Sequence, residues 1–208
     1  MKKAVPRVSL FCLILIMSRF LIAGLGNIGQ EYINTRHNIG FDIADAFVAK
    51  HGASFRSDRL ADVSTLSYKG REAIVIKPST FMNLSGKAVK YWMDSKKIGI
   101  SQVLVLVDDL ALPLNKLRLR PSGSDAGHNG LSSIQEALGT PAYPKLRFGI
   151  GNDFPKGMQV EYVLGRWSAA EIQMVKLKIA ESVQAIESFM FRGIELTMGD
   201  VNKKEFIV

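Results

Sequence analysis

Residues 19–41 run RFLIAGLGNIGQEYINTRHNIGF. The apolar run that starts at Arg19 and ends at Ala23, closed by Gly24, predicts a short buried strand. Gly24-Leu25-Gly26-Asn27-Ile28-Gly29 then matches GxGxxG, which after a strand raises a dinucleotide-binding fold. Such a fold needs a helix starting on the loop, to face the pyrophosphate, and an acid about 20 residues further on for the ribose. Here the loop runs into the polar stretch Gln30 to Asn38, which has no helical periodicity, and the acid position is held by Lys50, His51 and Gly52. A nicotinamide cofactor therefore fits poorly. A plain strand-ending turn explains the glycines but leaves the polar cluster behind them without a purpose.

Outward from this stretch, apolar runs bounded by turn residues alternate with helical patterns, the mark of an α/β layer structure. Ala73 to Ile76, Val103 to Val107 and Leu146 to Ile150 predict further buried strands. Phe41, Ile43, Ala44, Phe47 and Val48 predict one helix, and Ala88, Val89, Trp92 and Met93 another entered through Ser85 as its cap. A third starts near Asn129, with Leu131, Ile134 and Leu138 inward. The longest spans Ala169 to Phe191: Ser168 and Glu171 form a capping box, apolar residues from Ile172 to Met190 recur at spacings of three and four, and Gly193 supplies the stop.

At 208 residues the chain suits one domain, and 47% hydrophobic against 22% charged residues excludes a disordered or low-complexity protein. The single cysteine, Cys12, cannot close an internal disulfide, and no Cys/His cluster has zinc-ligand spacing, so no metal is expected and a reducing compartment is the natural home. The formal charge is +8, but Lys2, Lys3, Arg7 and Arg19 lie in the first 20 residues, which hold no acid, leaving 23 basic against 19 acidic residues beyond them. That balance permits a polyanionic partner without demanding one. Residues 1–17 form an apolar extension that imitates a secretory signal but lacks a small-x-small cleavage site and is too short to span a bilayer. Translation starting at Met17 or a dispensable extension, a membrane-associating segment, and true secretion all stand open, the first being favoured. Residues 18–208 are the expected folded domain.

Chemistry concentrates at a few positions. His51 precedes Gly52 at a predicted helix end, where a cation meets terminal carbonyls. His37 and His128 instead stand beside asparagines, in Arg36-His37-Asn38 and Gly127-His128-Asn129-Gly130, within polar loops flanked by core elements. Asp108 ends the most apolar strand, and ligand sites in open α/β sheets gather at the carboxyl ends of strands. Asn27, just past the first strand, and Asn83, between Ile76 and the Ser85 helix, share that address. A histidine beside a strand-end carboxylate is an apparatus for activating water, the acid fixing the tautomer. No serine sits in a GxSxG elbow, so direct attack by water is favoured over a covalent intermediate.

Five segments together resemble the bacterial type of peptidyl-tRNA hydrolase: LIAGLGNIGQEYINTRHNIGF at 21–41, KPSTFMNLSGKAV at 77–89, VDDLALP at 107–113, GHNGL at 127–131 and LRFGIG at 146–151. The resemblance implies a single-domain, three-layer fold with a mixed, mostly parallel central sheet flanked by helices. It implies a cytoplasmic, monomeric enzyme, without metal or other cofactor, that cleaves the ester between a peptide and the 3′ ribose of tRNA. By position it makes His37 the base, Asp108 its orienting acid and Asn27 a holder of substrate. Asn83 and Asn129 would bind the terminal adenosine and peptide backbone, with Tyr32, Met82 and His128 lining the pocket. Side-chain amides carry both acceptor and donors, so they read a peptide main chain without demanding a particular residue. Asn129, at a helix start, would also aim amide hydrogens at the carbonyl that becomes negative.

Two positions depart from the family pattern: Ala126 replaces a common glycine, tolerable unless φ is positive, and Ala111 replaces a frequent acid. Lys116, Arg118 and Arg120 alternate on a predicted strand, and Lys145 with Arg147 begins a later one. The functional reading is a clamp on the phosphates of the tRNA acceptor stem, and the resemblance associates Arg118, Arg120 and Arg147 with gripping the 5′ phosphate. A solvated charged face is the competing account. A noncatalytic RNA-binding relative is the rival function, against which intact His37, Asp108, Asn27 and Asn83 argue.

Overall fold

A computed structural model describes residues 18–207; the expectations placed on residues 1–17 lie outside that range. Seven strands, β1 (Arg19–Gly24), β2 (Arg56–Asp58), β3 (Ala61–Tyr68), β4 (Arg71–Pro78), β5 (Val103–Asp109), β6 (Leu117–Arg120) and β7 (Lys145–Gly149), form one sheet in the order β2-β3-β4-β1-β5-β7-β6. The middle four run parallel, and antiparallel pairs add β3 and β2 at one edge and β6 at the other. Among the described residues six α-helices accompany them: α1 (Ile39–Lys50), α2 (Ser85–Ser95), α3 (Asn129–Leu138), α4 (Gln159–Val163), α5 (Ala169–Arg192) and α6 (Ile194–Val201).

The three layers follow from strand parity. Successive side chains of a strand leave on opposite faces, so Phe20 and Ile22 enter the core beneath α1 and α5, while Leu21 and Ala23 enter the core beneath α2 and α3. Both faces are covered, and so β1 and β5 carry continuous apolar runs rather than alternating ones. On α5 the capping box of Ser168 and Glu171 is present, and Gly193 ends the helix at φ 85°.

Three local features differ from expectation. Ser85 is the first residue of α2 rather than its cap: its buried hydroxyl donates to Met82 O at 2.9 Å, closing a 3-10 turn that feeds the helix. Strands β2 and β3 were not foreseen, because Asp62, Ser64, Thr65 and Ser67 dilute the apolar signal of β3, an outer strand of the sheet. Helix α4, five residues with none buried, gives no periodicity to detect.

Two glycines bring the site together. A methyl on Gly40 would stand 2.4 Å from Leu25 N and 2.5 Å from Leu106 O, and one on Gly24 would stand 2.3 Å from Gly40 O. Only glycine permits the first turn of α1 to rest on the ends of β1 and β5. That contact carries the preceding 3-10 turn, Arg36–Asn38, over the end of β5. The GxGxxG match thus serves close strand–helix packing, and no α-helix starts on the loop before Ile39, only two short 3-10 turns.

Candidate active site

A cleft of about 720 Å³ opens at the carboxyl ends of β1 and β5. It gathers His37, Asp108, Asn27, Tyr32, Met82, Asn83, His128, Asn129 and Arg147 in its walls, whereas Arg118 and Arg120 stay outside it on the exposed side of β6.

At the floor, Asp108 is 3% exposed and receives two imidazoles: His37 Nδ1 lies 3.0 and 3.1 Å from its two oxygens, and His128 Nε2 lies 3.0 Å from Oδ1. The tautomers follow from the remaining contacts. His128 Nδ1 accepts the backbone N–H groups of Gly130 (3.1 Å) and Leu131 (3.3 Å), so its single proton sits on Nε2 and points at Asp108. His37 likewise donates through Nδ1, leaving Nε2 with a free lone pair. Burial by itself raises the Asp108 carboxyl, but His128 and His37, by charge and hydrogen bond, hold it well below the usual carboxylate range. The acid is therefore ionised while it orients the two imidazoles.

His37, Asp108 and His128 also have the separation of metal ligands, and no other such group occurs among the described residues. The donor set opposes that use. With Nδ1 already accepting two backbone N–H groups, His128 could offer Nε2 to a cation only as an imidazolate.

The same contacts correct one expectation for α3. The Gly130 and Leu131 amides, the two after Asn129, are spent on His128 Nδ1 rather than aimed into the cleft. His128 is thus the N-cap of α3 and a second anchor of Asp108, a role that polar loop composition did not reveal. Ala126 has φ 52°, so the departure from glycine falls where the conformation is left-handed, at a cost of about 1 kcal/mol.

Asn27 is locked from two sides. Its backbone N–H and C=O pair reciprocally with the Asn38 side chain at 2.8 and 2.9 Å, and its Oδ1 accepts the Met82 N–H at 3.0 Å. The Asn27 side-chain NH2 is left as its donor to the cleft. Asn38, 4% exposed, is a supporting residue that its place beside His37 could have flagged. Met82 in turn fits over Gly130, where a methyl would lie 2.6 Å from its sulfur. Asn83 and Asn129 are both exposed in the cleft wall, at the 3-10 turn Met82–Leu84 and at the start of α3.

Arg147 departs from the clamp expected of it. It is 8% exposed, its Nη1 donates to Asp109 Oδ2 at 3.1 Å, and its Nη2 donates to the Ser124 carbonyl. Asp109 also accepts the Ala111 N–H at 2.8 Å. Arg147 is therefore tied into the loops that flank the cleft, not held free for phosphate. Lys116 pairs with Glu205, and Lys145 is buried against Pro141 O and Tyr143 O, so Arg118 and Arg120 remain the exposed cations of this face. His51 sits at the end of α1 as expected and bonds Glu187 at 3.1 Å.

A family model described as peptidyl-tRNA hydrolase matches residues 21–207. Similar curated proteins named peptidyl-tRNA hydrolase include one from Phocaeicola vulgatus, 52% identical over 186 residues, covering 89% of this chain and 100% of its own length. Another, from Porphyromonas gingivalis, is 49% identical over 184 residues, with 88% of this chain and all of that protein covered. Among solved structures, peptidyl-tRNA hydrolase from Acinetobacter baumannii superposes with a TM-score of 0.85 at 28% identity, over 91% of this chain and 97% of that one.

Proposed function

The chain belongs to the peptidyl-tRNA hydrolase family and hydrolyses peptidyl-tRNA, and we propose that it does so with His37 as general base and Asp108 as its orienting acid. The observation that carries this reading is the His37 Nδ1–Asp108 bond at the floor of a cleft walled by Asn27, Asn83 and Asn129. His37 Nε2 takes a proton from water, and the hydroxide attacks the ester carbonyl. The carbonyl carbon–O3′ bond breaks, and the proton passes to the departing 3′ oxygen. The Asn27 NH2 is the donor for the carbonyl oxygen as it gains charge, in place of the Gly130 and Leu131 amides, which His128 occupies.

Asn83 and Asn129 bind the terminal adenosine and the peptide main chain, with Tyr32, Met82 and His128 as lining. Arg118 and Arg120 meet phosphates of the acceptor stem, sequence-independently, as suits an enzyme acting on many tRNAs. No metal takes part, residues 18–208 are the catalytic unit with residues 1–17 dispensable, and the protein works as a cytoplasmic monomer. No helix among the described residues is long and apolar enough to cross a membrane.

Incubation with an N-blocked aminoacyl-tRNA, followed on a gel, tests the activity. Free tRNA is expected at the same rate with and without EDTA. Binding without release would favour a noncatalytic RNA-binding protein, and EDTA inhibition reversed by zinc would replace the His37 base with a metal site.

A further inference from the structure

Arg36, the residue before the base, is 8% exposed and faces away from the cleft floor into one of its walls. Its Nη2 donates to both Glu171 oxygens, at 3.0 and 2.8 Å, and its Nη1 donates to Arg166 O at 2.9 Å. The guanidinium lies 4.4 Å from the ring centre of Tyr162 and 5.0 Å from that of Trp167. The backbone joins the same wall: Arg36 N donates to Gly165 O at 3.0 Å, and Thr35 bridges to Arg166. All these partners fall between residues 162 and 171, from the end of α4 through the link that follows it to the first turn of α5, and Gln159, Val160 and Val163 of α4 line the cleft together with Leu164. Glu171 has a second duty, because its Oε2 accepts the Ser168 N–H at 2.7 Å and caps α5.

We infer that Arg36 is a positioning residue that fixes the α4 wall at a set height over His37, and thereby sets how tightly the acyl end of the substrate is held. The inference rests on His37 as the base, and it assigns Arg36 to binding rather than to proton transfer. The reason is where independent support exists. The turn carrying His37 is also held by Asn38 on Asn27, by Thr35 Oγ1 donating to Tyr32 O at 2.8 Å, and by His37 on Asp108. Helix α4 buries no residue fully, and beyond Arg36 its side-chain ties are Tyr162, whose hydroxyl donates to Ile150 O at 2.6 Å and whose ring meets Phe154, and the partly buried packing of Tyr162 and Val163 on the core. Loosening the tether therefore frees the wall and leaves the base in place.

Arg36→Lys keeps the charge but loses the two-pronged fork and the planar stack, and Glu171→Gln keeps an acceptor for the α5 cap while discharging the pair. Both variants should raise KM for N-blocked aminoacyl-tRNA, on the order of tenfold for Arg36→Lys and less for Glu171→Gln, with kcat within about threefold of the parent. Amide hydrogen exchange should accelerate over residues 159–166, with thermal unfolding still cooperative. A fall in kcat at unchanged KM, or unchanged KM and unchanged exchange in a folded variant, overturns the inference. His37→Ala in the same assay separates the two readings: near-parental turnover there removes the base itself, whatever Arg36 does.

Discussion

The floor of the cleft and its basic edge are built on opposite terms. At the floor, Asp108 holds two imidazoles, His128 has both ring nitrogens engaged, and Asn27 is clasped by Asn38 and Met82. At the edge, Arg118 and Arg120 stand in solvent on β6 and, among the described residues, form no ion pair. Arg147 lies between the two. It pairs in register with Arg118 across β6 and β7, so the two share a face, yet it is buried and spent on Asp109 and Ser124. The difference shows that a period-two pattern fixes the side of a sheet on which a cation emerges, whereas the loops packed over that side decide whether it is free to bind.

If the floor is a single preorganised unit, its removal has the largest effect. His37→Ala should lower kcat by about 10⁴ while tRNA binding, read by filter retention, stays near the parental value. Turnover near the parental rate would break the contrast between floor and edge at once.

Asp108→Asn comes next, because an amide is neutral, keeps only one accepting oxygen and can turn its NH2 toward His37, where a donor favours the wrong tautomer. A loss of about 10² in kcat is expected. The carboxyl is held below the usual range in the folded protein. The unfolded chain therefore binds the more protons in acid, and stability contributed by Asp108 is present above its unfolded value and lost as pH falls through the folded one. Denaturation of parent and variant from about pH 5 down to pH 2 should show the parent losing stability the faster; parallel curves would mean that the floor does not hold the acid ionised.

Much of the floor was legible in sequence. The apolar runs of β1 and β5 announce strands covered on both faces, and a polar-loop histidine with a strand-end acid announces the pairing of His37 with Asp108. What stayed hidden depends on third parties. The tautomer of His128 is set by the amides of Gly130 and Leu131, which no spacing encodes. The burial of Arg147 is set by Asp109 and by the loop through Ser124, 23 residues away in sequence. Helix α4 has no buried residue and so no periodicity, although it supplies a cleft wall.

Arg147→Ala sharpens the comparison by asking to which region that side chain belongs. Its loss leaves the Asp109 carboxylate, 8% exposed, without its cation, which costs about 3 kcal/mol for a buried pair. The flanking loops then lose their tie, so activity should fall by about tenfold on whole peptidyl-tRNA and on a blocked amino acid esterified to a short CCA fragment alike. A loss confined to whole tRNA would return Arg147 to the phosphate clamp.

The smallest effect is expected where the side chains are freest. Arg118→Ala and Arg120→Ala remove cations that nothing in the described fold requires, so unfolding should shift by no more than about 0.5 kcal/mol. If each meets one phosphate, KM for whole peptidyl-tRNA should rise several-fold. The log–log slope of binding against salt should fall by roughly 0.7 to 0.9 per contact removed, nearer the lower value where the strand is single. The CCA fragment lacks an acceptor stem, so its hydrolysis should be unchanged by either substitution. This separates the edge from the floor more cleanly than the size of any single defect, since charge at the edge acts through phosphate and vanishes with it. Equal losses on the fragment and on whole tRNA would mean that β6 supports the cleft rather than the nucleic acid, and Arg118 and Arg120 would then be a solvated face.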